Sequence, residues 1–400
     1  YLKIFALVLL TFVLFSSNTC KKANPGLYRD SDAKTSITKQ TRVYKTFAKD
    51  PYANLWAEVQ KNFDEGKYRS AYDLAIQIEV MATQSKNEPE IIRALLAQYN
   101  LSASFMEDAE FIGINDLEKR LTTAAGAQKA MLHLLVGRFY WAYYQRNSYK
   151  INQRTTTHDF KNDDFRTWEA KRFVEVSQQH HLEALKILEE LKNYPIEDFK
   201  PILNDTETNK NIVSTLYDLV NVEVMRFFKS AANQSTVVEE NSGMNRLFVP
   251  YENFVLDELK DIDNASKKVV LQLYQNLLKT YHEEQDWNRV VFWDLERLDY
   301  LKANGSGELT QEMYLMVLNQ IVSKNLPSQE VAMAYAKVAR ELIYMPELPE
   351  FMGNQKRLVY AKGICEAAIN KFDKESLGVE KCREIIAHIE NKSLSFQLER

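Results

Sequence analysis

Glycine and proline are scarce, with 11 Gly and 9 Pro in 400 residues. Both punctuate turns and sheets, so their shortage predicts long helices joined by short connections. Charge of one sign is lacking too. The 51 Lys and Arg nearly balance the 55 Asp and Glu, leaving a net charge of −4. No basic stripe interleaved with aromatics occurs, which points away from a nucleic-acid partner. His-Glu-x-x-His, close cysteine pairs, Gly-x-Ser-x-Gly, and the phosphate-loop and dinucleotide glycine patterns are all missing. The chain therefore spells out no catalytic residue, cofactor site or metal site, and reads as a non-enzyme.

What remains is a globular composition, 45% hydrophobic and 26% charged. This length suits two or three domains or one long helical array. The N-terminus stands apart. Lys3 precedes an apolar run over 4–15, too short to span a bilayer comfortably but suited to a signal-peptide core. Ser16, Ser17, Asn18 and Thr19 then lead into Cys20, so residues 1–20 read as a lipoprotein-type signal with Cys20 acylated. An ordinary cleaved signal peptide is the alternative. The lipid at Cys20 would anchor the chain in the cell envelope, and Lys21-Lys22 favours the periplasm-facing side. Residues 21–49 are polar and aperiodic, as expected of a flexible tether. With Cys20 set aside, Cys365 and Cys382 are either two small core thiols or, in an oxidising compartment, a disulfide.

Periodicity predicts an all-α fold of irregular, tetratricopeptide-like hairpins, with one subdomain over 50–230 and a second over 251–390. Asp50-Pro51 opens the first helix. Gly66-Lys67-Tyr68, followed by Ala71, reads as a hairpin turn, and Gln285-Asp286-Trp287 echoes it later in the chain. The helix over 127–146 is apolar round most of its circumference and should be central and buried. A second long helix is expected over 167–192, with Phe173, Val176, Leu182, Leu185 and Leu188 inward. Residues 231–250 are irregular and mark a domain junction. Near the end, Ser393-Leu394-Ser395-Phe396-Gln397-Leu398-Glu399 alternates with period two, predicting a strand that opens a β domain over 391–400.

The least ordinary stretch lies between the two long helices, where Arg154, Asp159, Asp163, Asp164, Arg166 and Trp168 crowd a polar loop. Its acids lack the spacing and the bidentate Glu of a calcium loop. Instead, Asp163 or Asp164 is placed to cap a helix starting near Arg166, and Arg154 and Arg166 are available to pair with carboxylates. The loop reads as a polar plug, with a partner-binding surface as the alternative. His180-His181 point about 100° apart on a helix and cannot share a metal, so the pair reads as a solvated face.

The same loop carries a resemblance. Asn152-Gln153-Arg154-Thr155, Asp159-Phe160, the run from Asp163 to Trp168, Arg172-Phe173 and Trp141-Ala142-Tyr143-Tyr144-Gln145 resemble the N-terminal helical region of large bacterial alpha-2-macroglobulin-family lipoproteins. Tyr52-Ala53-Asn54-Leu55-Trp56 and the segment from Lys392 to Glu399 extend the likeness over roughly 50–400. The resemblance implies a non-catalytic head of an exported endopeptidase inhibitor that traps proteases through parts outside this chain. In many members an internal thioester, Cys-x-x-Gln, captures the protease. Here Glu366-Ala367-Ala368 follows Cys365 and Arg383-Glu384-Ile385 follows Cys382, so neither cysteine fits. Two other readings stand beside it. One is a stand-alone helical adaptor lipoprotein binding an envelope protein or glycan. The other is a helical-toroid enzyme with Asp159 and Asp164 at its centre.

Overall fold

The computed structural model describes residues 50–154, 164–203, 212–232, 243–305, 309–345 and 356–398, with side chains to 391. Cys20, Asp159 and Asp163 fall outside these residues, as do the signal segment, the tether and half of the expected junction. The described chain is all-α, without a strand. No helix in it is long and apolar enough to cross a membrane. It divides into two compact units, Tyr1–Val220 and Asn221–Arg400.

The first unit begins with α1 (Ala53–Asp64), α2 (Tyr68–Ser85) and α3 (Glu88–Ser102). The Asp50 carboxylate accepts from the Tyr52 amide at 2.9 Å, fixing the entry turn. Gly66 takes φ +73°, a left-handed corner that suits a residue without Cβ and reverses the chain between α1 and α2. Ala71, Ala75, Ile78 and Ala82 form the buried stripe of α2. The three alanines are small enough to let the flanking helices close in. Asn87 then caps α3 by accepting from the Glu90 amide at 3.3 Å, with Pro89 in the first turn. After α4 (Ala109–Leu121) comes α5 (Gly126–Ile151), whose run from Ala130 to Gly137 is buried on every side. It packs along α6 (Ala170–Leu185), which is followed by α7 (Leu188–Leu191) and a 3-10 stretch, Ile196–Ile202.

The single helix expected over 167–192 is three pieces. A 3-10 turn at Phe165–Thr167 comes first, and the chain is extended at Trp168 and Glu169 before α6 starts. The break has a local cause. Arg154 donates to the Trp168 carbonyl, and Thr167 Oγ1 donates to the Asp164 carbonyl at 2.7 Å. These bonds satisfy backbone groups outside a helix and compete with its continuation. Leu182, expected inward, is 40% exposed.

The unit boundary falls inside α8 (Leu216–Ala232). In the second unit, Asn245–Leu247 is a 3-10 turn and α9 (Tyr251–Phe254) a short helix. Asn264 caps α10 (Ala265–Glu283), and Asp286 caps α11 (Trp287–Asn304) by accepting from the Arg289 amide at 3.1 Å. Between them Gln285 takes φ +57°, the counterpart of Gly66 in the first unit. α12 (Leu309–Ser323), α13 (Val331–Tyr344), α14 (Arg357–Lys371) and α15 (Leu377–Leu398) complete it. The last three pack on one another.

The strand expected from Ser393 is instead the continuation of α15 through Leu398. A lone strand leaves a row of backbone groups without partners, whereas a helix satisfies them within itself. Among the described residues no strand lies alongside, and period-two alternation does not by itself make one.

Candidate functional site

The described ends of the polar loop, Arg154 and Asp164 to Trp168, pack with the helices beneath them. The 3-10 turn places Phe165 inward, 1% exposed, edge-on to Tyr140 and Tyr143 at ring-centroid distances of 5.4 and 5.0 Å. Trp168 and Phe173 join the same cluster, 5.4 Å apart. Edge-to-face aromatic packing of this kind fixes ring orientations as well as burying area.

Arg166 faces outward from that cluster and ties it down. Its guanidinium lies over the Phe111 ring at 4.2 Å and donates from Nε and Nη2 to Asp164, at 2.8–3.1 Å, and from Nη1 to Asp108 at 2.8 Å. Asp164 Oδ1 also accepts from the Arg166 amide at 3.0 Å, capping the 3-10 turn rather than a long helix. Arg166 thus holds the Asp164 carboxyl below the usual aspartate range, against a smaller opposing effect of burial. Asp108 sits at φ +55°, an uncommon conformation for a non-glycine residue, at the entry to α4. Of the six loop residues singled out in the sequence, Arg154, Asp164, Arg166 and Trp168 come together here.

Below the aromatic cluster lies a network that helical periodicity alone does not reveal. His180 and His181 are 9% and 3% exposed, not a solvated face. His180 Nε2 lies 3.1 Å from Glu118 Oε1, so it donates, because the carboxylate can only accept. His133 Nδ1 lies 3.0 Å from His180 Nδ1, one ring nitrogen donating and the other accepting. The Tyr140 hydroxyl donates to the same Glu118 oxygen at 3.1 Å. Tyr140 therefore belongs to both layers, packing on the loop aromatics above and bonding Glu118 below. His181 turns the other way and donates from Nδ1 to the Ser177 carbonyl at 2.7 Å.

Burial controls the charges. It pushes His133 down to about 4, helped by the neighbouring His180, and His181 down to about 4 despite the bond to Ser177. Both imidazoles are uncharged at neutral pH. Burial raises Glu118, but the bonds from His180 and Tyr140 outweigh it, and the carboxyl ends below its ordinary value. The chain Tyr140–Glu118–His180–His133 joins α4, α5 and α6 and holds them in register.

Gly137 makes the close approach of α5 and α6 feasible. A Cβ there would lie 2.8 Å from His181 Nδ1 and 3.0 Å from His180 Cβ. Two signals could have revealed the network. His133 interrupts the apolar run Met131-Leu132-His133-Leu134-Leu135, and His180-His181 continue the spacing set by Phe173, Val176 and Ser177. Among the described residues, no group of three or more His, Cys, Asp or Glu side chains is disposed to hold a metal. Compared with known proteins, the chain matches no family model, no curated protein and no solved structure.

Proposed function

We propose that the chain is the non-catalytic helical scaffold and interaction module of an exported macroglobulin-like endopeptidase inhibitor. Protease trapping is the work of parts outside this chain, and a lipid at Cys20 provides the membrane anchor. The observation that carries this reading is the engagement of the loop: Asp164 is taken up by Arg166, and Arg154 by the Trp168 carbonyl. Side chains so occupied hold a shape rather than act on a substrate. The Gly66 and Gln285 corners, each joining two packed helices, support a tetratricopeptide-like architecture.

The test uses the natural gene product that carries this chain, incubated with an endopeptidase. A trapped protease should lose activity on a large protein substrate while still cleaving a small peptide. Unchanged cleavage of both substrates by a panel of endopeptidases would sink the reading. A second reading, a stand-alone adaptor of the cell envelope, draws on Ile76, Val80 and Met81, exposed along α2 at 36%, 50% and 39%. It expects the purified chain to bind an envelope protein or glycan through that helix, with binding lost in Val80→Lys.

A further inference from the structure

The second unit holds a set of polar groups that the proposed function does not use. A cavity lies between α9, α11 and α12, with room of about 10 Å³ for the centre of a water-sized molecule. Val290, Val291, Val317 and Ile321 give it apolar walls, and Asp294 and Gln320 supply its polar part. Two further polar residues on the lining are already engaged. The Tyr251 hydroxyl is hydrogen-bonded to His282 Nδ1 at 2.9 Å. Lys324 Nζ donates to both oxygens of Glu252, at 2.6 and 2.7 Å.

Asp294 and Gln320 each keep an oxygen to spare. Asp294 is 2% exposed, and Arg297 reaches only its Oδ1, from Nε at 2.8 Å and from Nη2 at 2.7 Å. Among the described residues nothing donates to Oδ2. Gln320 Oε1 is buried and likewise has no protein partner. Two acceptors therefore line one small cavity, and an unanswered buried acceptor is costly.

Charge and size narrow the occupant. Acceptors call for a donor, so an anion does not fit. A cation would add uncompensated charge, because Asp294 already faces Arg297 and Glu252 already faces Lys324. A neutral donor remains. The space admits one molecule of water's size, and water brings two O–H bonds to two acceptors.

We propose that the cavity is a binding site for one water molecule, which donates to Asp294 Oδ2 and Gln320 Oε1 and ties α11 to α12. Lys324 closes the site: it lines the cavity, its side chain is 32% exposed, and its ammonium is latched to Glu252 on α9. Burial raises the Asp294 carboxyl, and a donor at Oδ2 works against that rise. A single enclosed molecule is not bulk solvent, so the Asp294–Arg297 pair stays buried. The site belongs to the second unit alone and does not rest on the proposed export or protease trapping.

The test is water-oxygen magnetic relaxation dispersion on the native full chain, which counts water molecules that tumble with the protein. Gln320→Leu removes one acceptor, and Val317→Ile fills the space while leaving both acceptors in place. Each should lower the count by one molecule. Lys324→Met should keep the count but shorten the residence time, read from its temperature dependence. An unchanged count in both Gln320→Leu and Val317→Ile would overturn the site. So would a Tm that rises more with ammonium chloride than with sodium chloride at equal ionic strength, since the occupant would then be a cation. An unchanged residence time in Lys324→Met would overturn the latch.

Discussion

The two units bury polar groups by opposite means. In the first, His133 and His181 shed their charge on burial, and the network around Glu118 closes through hydrogen bonds from His180 and Tyr140. In the second, Arg297 is 0% exposed and cannot shed its proton, so every face of the guanidinium must be answered. Asp294 accepts from Nε at 2.8 Å, the Leu247 and Val249 carbonyls accept at 2.8 and 2.9 Å, and the Phe254 ring lies 4.5 Å away. Burial raises the Asp294 carboxyl even against the pull of Arg297. An interior built from histidine can be discharged and re-formed by pH. One built from arginine stands or falls with its partners.

The largest effect should come from removing half of the arginine pair. Arg297→Ala leaves Asp294 and two carbonyls buried without their donor, and should cost about 3–5 kcal/mol in urea unfolding. The paired replacement Arg297→Met with Asp294→Leu should recover most of that loss. Burying two charges already opposes their mutual attraction, which is why the raised Asp294 matters. If Arg297→Ala costs less than about 1 kcal/mol, water reaches the site and the contrast between the units is lost.

Acid should break the comparison from the other side. The folded-state values of His133 and His181, about 4, lie below their unfolded value of about 6.5. Between these limits the unfolded chain binds more protons, so stability is full above about 6.5 and falls as the pH drops toward 4. A shift of that size corresponds to about 3 kcal/mol for each histidine. Asp294 and Glu296 are raised by burial, so they contribute with the opposite sign and are better tolerated when protonated. Amide exchange at pH 7 and pH 4.5 should therefore show protection lost in α5 and α6 well before α10 and α11. His181→Gln should flatten the first unit's dependence. Equal loss in both units would show that the histidines do not set the difference.

Glycines give a third, smaller contrast. Gly378→Ala would drive a Cβ to 2.3 Å from the Met333 nitrogen and 2.4 Å from the Ala332 carbonyl carbon, backbone atoms that cannot step aside. A cost of about 1–3 kcal/mol is expected, with α13 and α15 pushed apart. At Gly137 the obstacle is mainly the His181 ring, and Ala gains up to about 1 kcal/mol of helix propensity. Gly137→Ala should be the milder of the two in thermal melts. It should also weaken the pH dependence, because the ring it displaces is the titrating one.

Much of this was legible in the sequence. The paucity of Gly and Pro and the spacing of Leu132, Leu135 and Phe139 dictated helices and marked α5 as central. Gly66 and Gln285 were visible as corners because each sits between two helical runs, where the chain must reverse. The histidine network was not visible, since Glu118, His133 and His180 come from three helices and only their packing joins them. Polarity alone argued for solvent at His180, yet its place on the stripe from Phe173 to Ala184 argued for burial, and periodicity won. The opposite failure occurred at Ser393, where period-two alternation suggested a strand and the backbone continues as a helix to Leu398.

The smallest expected effect concerns the loop itself and bears on whether it is a plug or a binding surface. Asp164 is about a quarter exposed and makes its bonds over a span of two residues to the more exposed Arg166, so solvent screening limits what its ion pair contributes. What remains is the cap of the 3-10 turn, and Asp164→Ala should cost roughly 1 kcal/mol. Arg166→Ala should act more broadly, because it removes the link to Asp108 and the cover over Phe111 as well as the pair with Asp164. If Tm falls in both variants and Phe165 becomes accessible to solvent, the loop is a lid on the aromatic cluster. If neither variant moves Tm, the Asp164–Arg166–Asp108 array stabilises nothing internally, and its charges are free to recognise a partner.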